Sequence, residues 1–224
     1  MKKITSVSLI LVLSLFFFSC KSDKKEEKQP VENQAKETKL KVSGKFNINE
    51  NQSIVNWIGS KPTGKHNGEI KIKSGEMIFK NGKLVSGKFI VDMRSLNVKD
   101  LEGDEKNELE NHLKGTVEGK EDHFFNVKAF PKSQFVIKSV KKNDELYKIY
   151  GELTIKGISN AVDFDAQITV GDNKQAVKLI SEKFKIDRTN WGIEFMSKSV
   201  FDDLKDKFIN DDIQLQVSLK ATRQ

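Results

Sequence analysis

Three histidines, one cysteine and a few paired carboxylates are the groups in this 224-residue sequence that could carry reaction chemistry. His66, His112 and His123 could act as general bases or metal ligands. No two stand at the i, i+4 spacing that lets one helix face offer two imidazoles to a metal. His112 and His123 lie eleven residues apart, with Asp122 before the second. They could converge in space as an acid–base pair, or stay apart as surface or structural histidines. No Gly-x-Ser-x-Gly nucleophile elbow occurs. Asp163 and Asp165 share one face of an alternating segment whose other face is apolar, which makes them solvated carboxylates rather than a catalytic dyad. Gly64, Gly68 and Gly75 are scattered and open no helix, so they form no phosphate-cradling loop. These groups give no catalytic residue, no metal site and no cofactor, and the expectation is a protein that is not an enzyme.

The cysteine reads differently. Cys20 follows the apolar run Val7 to Phe18, which itself follows Lys2 and Lys3, and Ser19 stands just before it. A basic start, a short apolar middle and a small residue at a boundary form the layout of an export signal. With cysteine at that boundary the segment resembles a bacterial lipoprotein signal, in which the sulfur receives a diacylglyceryl group. Phe17 stands where that pattern prefers leucine, and a plain signal with an incidental cysteine is the alternative. The resemblance implies a signal over 1–19, lipid attachment at Cys20, and a place in the bacterial cell envelope on the periplasmic side or the outer-membrane surface. The apolar run is shorter than the about 20 residues of a membrane span. A single cysteine forms no internal disulfide, so the fold must rest on a hydrophobic core.

The elements that would position any site begin after a charged lead. Residues 20–44 contain almost no apolar side chain before Leu40, which marks a disordered tether. The formal charge is +7; removing Lys2, Lys3 and the seven lysines and five acids of 21–44 leaves +3 on the rest. That charge is dispersed and excludes a nucleic-acid footprint. From Lys45 onward apolar and polar residues alternate with period two, the signature of half-buried strands. Phe46 and Ile48 alternate, as do Ile70 and Ile72. Gly87, Phe89, Val91 and Met93 share a face, and Phe135 and Ile137 form a short pair. Tyr147, Ile149, Gly151, Leu153 and Ile155 share another. Val162, Phe164, Ala166, Ile168 and Val170 follow, and Ile213, Leu215, Val217 and Leu219 close the series. Turn signals at Asn81-Gly82, 157–160 and 171–173 separate them. Short, regular spacing predicts antiparallel hairpins in a sandwich or barrel. Residues 104–114 break the rhythm and predict a short helix with Leu109 and Leu113 on one side; 200–208 is a weaker helical candidate through Phe201, Leu204 and Phe208.

Four stretches together resemble the YceI-like family of bacterial lipid- and polyisoprenoid-binding proteins. They are LVSGKFIVDMRSLNV from Leu84, HFFNVKAFPKSQFVIKSV from His123, GELTIKGISNAVDF from Gly151 and FKIDRTNWGI from Phe184. Their order spans nearly all of 45–224. One departure stands out: the family's Arg-Asp-x-His-Leu stretch keeps only His112-Leu113 here, and residues 115–121 intervene before the paired aromatics.

The resemblance implies an all-β fold, an antiparallel lipocalin-like barrel of about eight strands with a short helix inserted after the early strands, filling 45–224 as one domain. It also implies an isoprenoid or other long-chain lipid ligand, held by its apolar tail. Small inward residues (Gly87, Gly151, Ala166) alternate with large ones (Phe89, Leu153, Phe164), which fits either a channel or an interlocked core. Enclosing ten tail carbons offers about 8 kcal/mol gross at about 0.8 kcal/mol per methylene, less ordering costs. The lumen candidates are Phe89, Val91, Phe135, Leu153, Ile155 and Phe164. Trp57 and Trp191 are candidates for lumen or mouth, against a plain core role. Phe124, Phe125 and Phe130 form either a lid or a satellite cluster. Arg188 meets an anionic head group, pairs with Asp187, or covers Trp191. Expected partners are the lipid and, through Cys20, a membrane; a homodimer stays open. The alternative is a filled barrel that serves as a structural or protein-interaction module.

Overall fold

The alternating segments become antiparallel strands because each has one apolar face to bury. The structure, a computed structural model, describes residues 42–224. The expected signal, Cys20 as the expected lipid-attachment site and nearly all of the expected tether lie outside the described residues. At its other edge the folded part reaches back past Lys45: Val42 is 3% exposed within the core, and its carbonyl accepts from Gly82 N–H.

The described elements are β1 (Gly44–Ile48), β2 (Ile54–Lys61), β3 (Gly64–Lys80), β4 (Lys83–Asp92), β5 (Asn97–Val98), α1 (Gly103–Lys114), β6 (Lys132–Asn143), β7 (Leu146–Ile155), β8 (Ile158–Val170), β9 (Ala176–Ser181), β10 (Phe184–Asp187) and β11 (Asp212–Arg223). β2, β3, β4, β6, β7, β8, β9 and β11 form an antiparallel ring of eight strands that returns from β11 to β2. β1 extends the slot of β2, pairing with both β3 and β11. The 81–82 and 156–157 turns both have positive φ at their two central residues, which matches the right-handed twist of hairpin strands. The second turn is tighter than expected: Ile158 to Asn160 already belong to β8 and pair with β7.

Three register shifts bend the ring, one of them between Ile78 and Phe79 beside the β3–β4 turn, and the other two change which face points inward. The β3–β4 register shifts between Ile72 and Ser74, and the β6–β7 register between Ile137 and Ser139. Each inserts an unpaired lysine and switches which parity faces inward, so that Ile70 and Ile72 are followed by Met77 and Phe79. The ring is also unevenly closed. β9 joins β8 only from Ala166 to Val170, while β10 pairs only with β11 among the described strands. The Arg188–Trp191 turn covers the remaining seam: Trp191 donates Nε1–H to Leu153 O at 3.0 Å, and Asn160 donates to Asn190 O at 2.8 Å.

α1 forms where the sequence places it, one residue longer at its start. It ends at Gly115, in the left-handed region at φ 67, with the Gly115 N–H on His112 O. Glu110 fixes the helix to β5 by accepting Val98 N–H at 2.9 Å, and also accepts from Lys114 at 2.8 Å. The second helical expectation is corrected. Residues 200–208 form a loop with one short turn at Lys205–Lys207. Phe201 stays 48% exposed, and without a surface to bury that face a single short helix has no tertiary support.

Candidate functional site

The interior divides into two unlike halves. Toward the β3–β4 turn the core is filled: Phe46, Met77, Ile149, Ala166, Leu219 and Ala221 are each at most 1% exposed and belong to one cluster. In the other half lies a cavity of about 660 Å³. Its wall is the expected inward face, with Phe89 and Val91 from β4, Phe135 from β6, Leu153 and Ile155 from β7, and Phe164 from β8. Trp57 lines it from β2; its indole lies 2.6 Å from where a Cβ on Gly68 would sit, and its Nε1 is buried without a hydrogen-bond partner. Trp191 does not line the cavity. Its ring is 2% exposed in the seam, held by its bond to Leu153 O.

The glycine expected to leave a gap is occupied. A methyl group on Gly151 would lie 2.7 Å from Cε1 and Cε2 of Phe135, and closer still to Cζ. Gly151 therefore serves as the seat of the Phe135 ring. That ring continues a series across the lumen: parallel to Phe89 at 6.4 Å between centroids, tilted against Phe164 at 5.4 Å, and from Phe164 to Phe184 at 4.7 Å. Such offset and tilted ring pairs are each favourable beyond their buried area.

α1 and the loop after it cap one flank. Leu109, His112, Leu113, Phe124 and Phe125 all line the cavity, whereas Phe130 does not. Phe125 N–H and Val127 N–H bond to Leu113 O and Lys114 O, which ties the aromatic pair to the helix end. His112 and His123 do meet: His112 Nε2 lies 2.9 Å from His123 Nδ1, so one ring donates and the other accepts. Phe195 stacks on His123 at 3.9 Å and meets His112 edge-on at 5.1 Å. Burial first, then the charges of His123 and Lys120, hold the His112 imidazole below its ordinary value. Only His112 of the two reaches the cavity wall.

The polar groups gather at the β2–β3 turn. Lys61, Thr63 and His66 line the cavity there, beside Asp206, Lys207 and Asn210, and Asn210 bonds to both the carbonyl and the hydroxyl of Ser60. Lys61, Thr63, Asp206 and Lys207 are exposed, which makes this end the mouth. His66 Nδ1 lies 2.9 Å from Asp100, whose other oxygen accepts Asn67 N–H. Burial works to raise the Asp100 carboxyl, but the Asn67 and His66 hydrogen bonds outweigh it and bring it below the ordinary range. Among the described residues neither histidine pair is hydrogen-bonded to a serine, threonine or cysteine side chain. Neither pair therefore activates a hydroxyl or thiol through a direct hydrogen bond.

Arg188 lines the cavity, yet three of its five N–H donors are committed to backbone carbonyls. It is 1% exposed and gives Nε–H to Asn210 O at 3.2 Å, Nη1–H to Ile193 O at 2.7 Å and Nη2–H to Ile209 O at 3.1 Å. Asp211 Oδ1 stands 3.2 Å from Nη2 as an ion-pair contact without a hydrogen bond. Asp187 instead caps the turn through Thr189. Arg188 is thus the clamp of the 193–211 loop, which brings Phe195, Met196 and Ile209 to the cavity. The period-two pattern carried no signal of this role.

The model of the YceI-like domain matches residues 31–221. No curated protein sequence matches the chain. Among solved structures, BcnA of Burkholderia cenocepacia is similar over 78% of this chain and 99% of its own, at 18% identity and a TM-score of 0.61. A polyisoprenoid binding domain from Saccharophagus degradans, implicated in plant cell wall breakdown, is similar over 80% and 98%, at 11% identity and a TM-score of 0.60. A mutant of the Campylobacter jejuni YceI protein follows over 68% and 83%, at 23% identity and a TM-score of 0.51. At these identities the likeness is one of fold.

Proposed function

This chain belongs to the YceI-like domain family, and from that premise we propose that it binds an amphiphile with a long apolar tail, isoprenoid or fatty, inside the open half of its barrel. The observation that carries the reading is the 660 Å³ cavity, walled by apolar strand residues and bordered by polar side chains at one end. Pockets of this size and composition suit a small ligand held mainly by apolar contact. The cavity also favours a ligand over the alternative of a filled barrel acting as an interaction module. The polyisoprenoid-binding description of the Saccharophagus domain supports the same ligand class. Binding and carrying is the role this reading assigns, and the family and the Saccharophagus domain's description support it.

The protein would work at the cell envelope. A lipid on Cys20 would hold the protein at a bilayer surface, close to a source of apolar-tailed molecules. Replacing Cys20 by serine is expected to release the protein from membranes on fractionation while leaving its lipid binding intact. The binding itself is tested by native mass spectrometry of the purified protein, followed by organic extraction and mass analysis of the extract. A co-purified apolar-tailed molecule is expected. Protein that stays empty when offered prenyl alcohols and fatty acids would end this reading.

A further inference from the structure

The cavity stops part-way along the barrel, and it stops at a defined level. Its deepest lining is a ring of six side chains, one from each of six strands: Val55, Ile72, Phe89, Phe135, Phe164 and Val217. One step further along the same strands, Met77, Ile137, Ala166 and Leu219 are at most 3% exposed and line no part of it. β7 offers only Gly151 at this level, and the Phe135 ring lies over that glycine. Three aromatic rings, from Phe89, Phe135 and Phe164, therefore span the lumen side by side.

Resting on the lipid-binding reading above, we infer that this aromatic tier is a fixed floor that sets the length of tail the protein accepts. From the mouth at Lys61 to Val55 the strand runs about 20 Å at roughly 3.3 Å per residue. At roughly 30 Å³ for a water-sized group, which is also about the size of a methylene, the cavity takes about 20 carbons. That corresponds to about four isoprene units. A longer tail gains nothing from its extra units, because they remain outside the mouth. The floor is stiff for a reason visible in the packing. Each ring is backed by the filled half, where no space exists for it to retreat.

The test is a titration of the purified protein with all-trans prenyl alcohols of increasing length, delivered from cyclodextrin. Affinity should tighten by about tenfold or more per added unit while the tail is still entering the cavity. It should level off at about four units. Val162→Phe adds bulk to empty space on the cavity wall, and should move the plateau to a shorter alcohol. Phe135→Ala removes the central ring, and should move it to a longer one. Affinity that goes on rising at the same step to the longest alcohol overturns the floor. So does a plateau that stays in place in Val162→Phe. If no alcohol binds, the same length series is run with fatty acids; if those fail too, the lipid-binding reading falls and takes the floor with it.

Discussion

Replacing Arg188 by methionine separates the clamp from the shape of the side chain. The guanidinium makes three hydrogen bonds to backbone carbonyls of 193–211 and one ion-pair contact, all in a site 1% exposed. Hydrogen bonds to a charged group contribute about 1.5–3 kcal/mol each, but the freed carbonyls can partly regain water. Removing one member of a buried pair costs about 3–5 kcal/mol, and that is the expected loss. For a chain of this size each kcal/mol moves the midpoint by about 2–4 °C, so Tm should fall by about 6–20 °C. Arg188→Lys keeps the charge but cannot reach three carbonyls from one ammonium, and should recover less than half of the loss. Asp211→Asn should cost less, because Ser199 and Ser197 still hold that side chain. The assay is thermal and urea unfolding, with hydrogen exchange read by peptide. Exchange should rise in 193–211 before it rises in β6–β8. A loss under about 1 kcal/mol, or an exchange pattern unchanged in the loop, would refute the clamp.

Two further outcomes follow from the same geometry. Gly151→Ala places a methyl in the Phe135 ring; the ring must swing into the cavity, at a cost of about 1–3 kcal/mol, and binding of an apolar probe should weaken. An unmoved ring at full stability would contradict this. His112 is held below its ordinary pKa, by burial first, so the unfolded chain takes up its proton before the folded one does. Its contribution to stability is complete above about pH 6.5 and is lost as pH falls from there through the lower folded value. Urea midpoints measured across that window should fall with pH, and His112→Phe should flatten the slope; an equal slope in both would remove His112 as the cause.

Much of the cavity wall was legible. Phe89, Val91, Phe135, Leu153, Ile155 and Phe164 were readable as inward residues because a pleated strand alternates its faces without exception between bulges. Where a bulge intervenes, that reading breaks. The shifts after Ile72 and Ile137 switch parity, and Met77, Phe79 and Val140 could not be assigned a side. The 200–208 helix was read from apolar spacing that exists in the sequence, but Phe201 stays exposed and Phe208 is met by Lys198, so no continuous apolar surface receives that face. Arg188 and Trp191 left no periodic trace. Their roles arise from a seam in the ring and from loop carbonyls at Ile193, Ile209 and Asn210, two of them more than 20 residues away, and no local pattern encodes either.

By itself the sequence determined the inward faces of the strand stretches between bulges, the helix over 104–114, and that a single cysteine forms no internal disulfide. The reason is local: backbone pleat and helical pitch act over a few residues. Only the tertiary structure decided that the lumen is filled on one side of the aromatic tier and open on the other. That outcome depends on where three strands bring their aromatic rings and which glycine makes room for Phe135. It also brought His112 to His123 across an eleven-residue separation, because the meeting of two side chains on different elements is a matter of packing. Volume and proximity are sums over the whole ring of strands, and they exist only once the ring has closed.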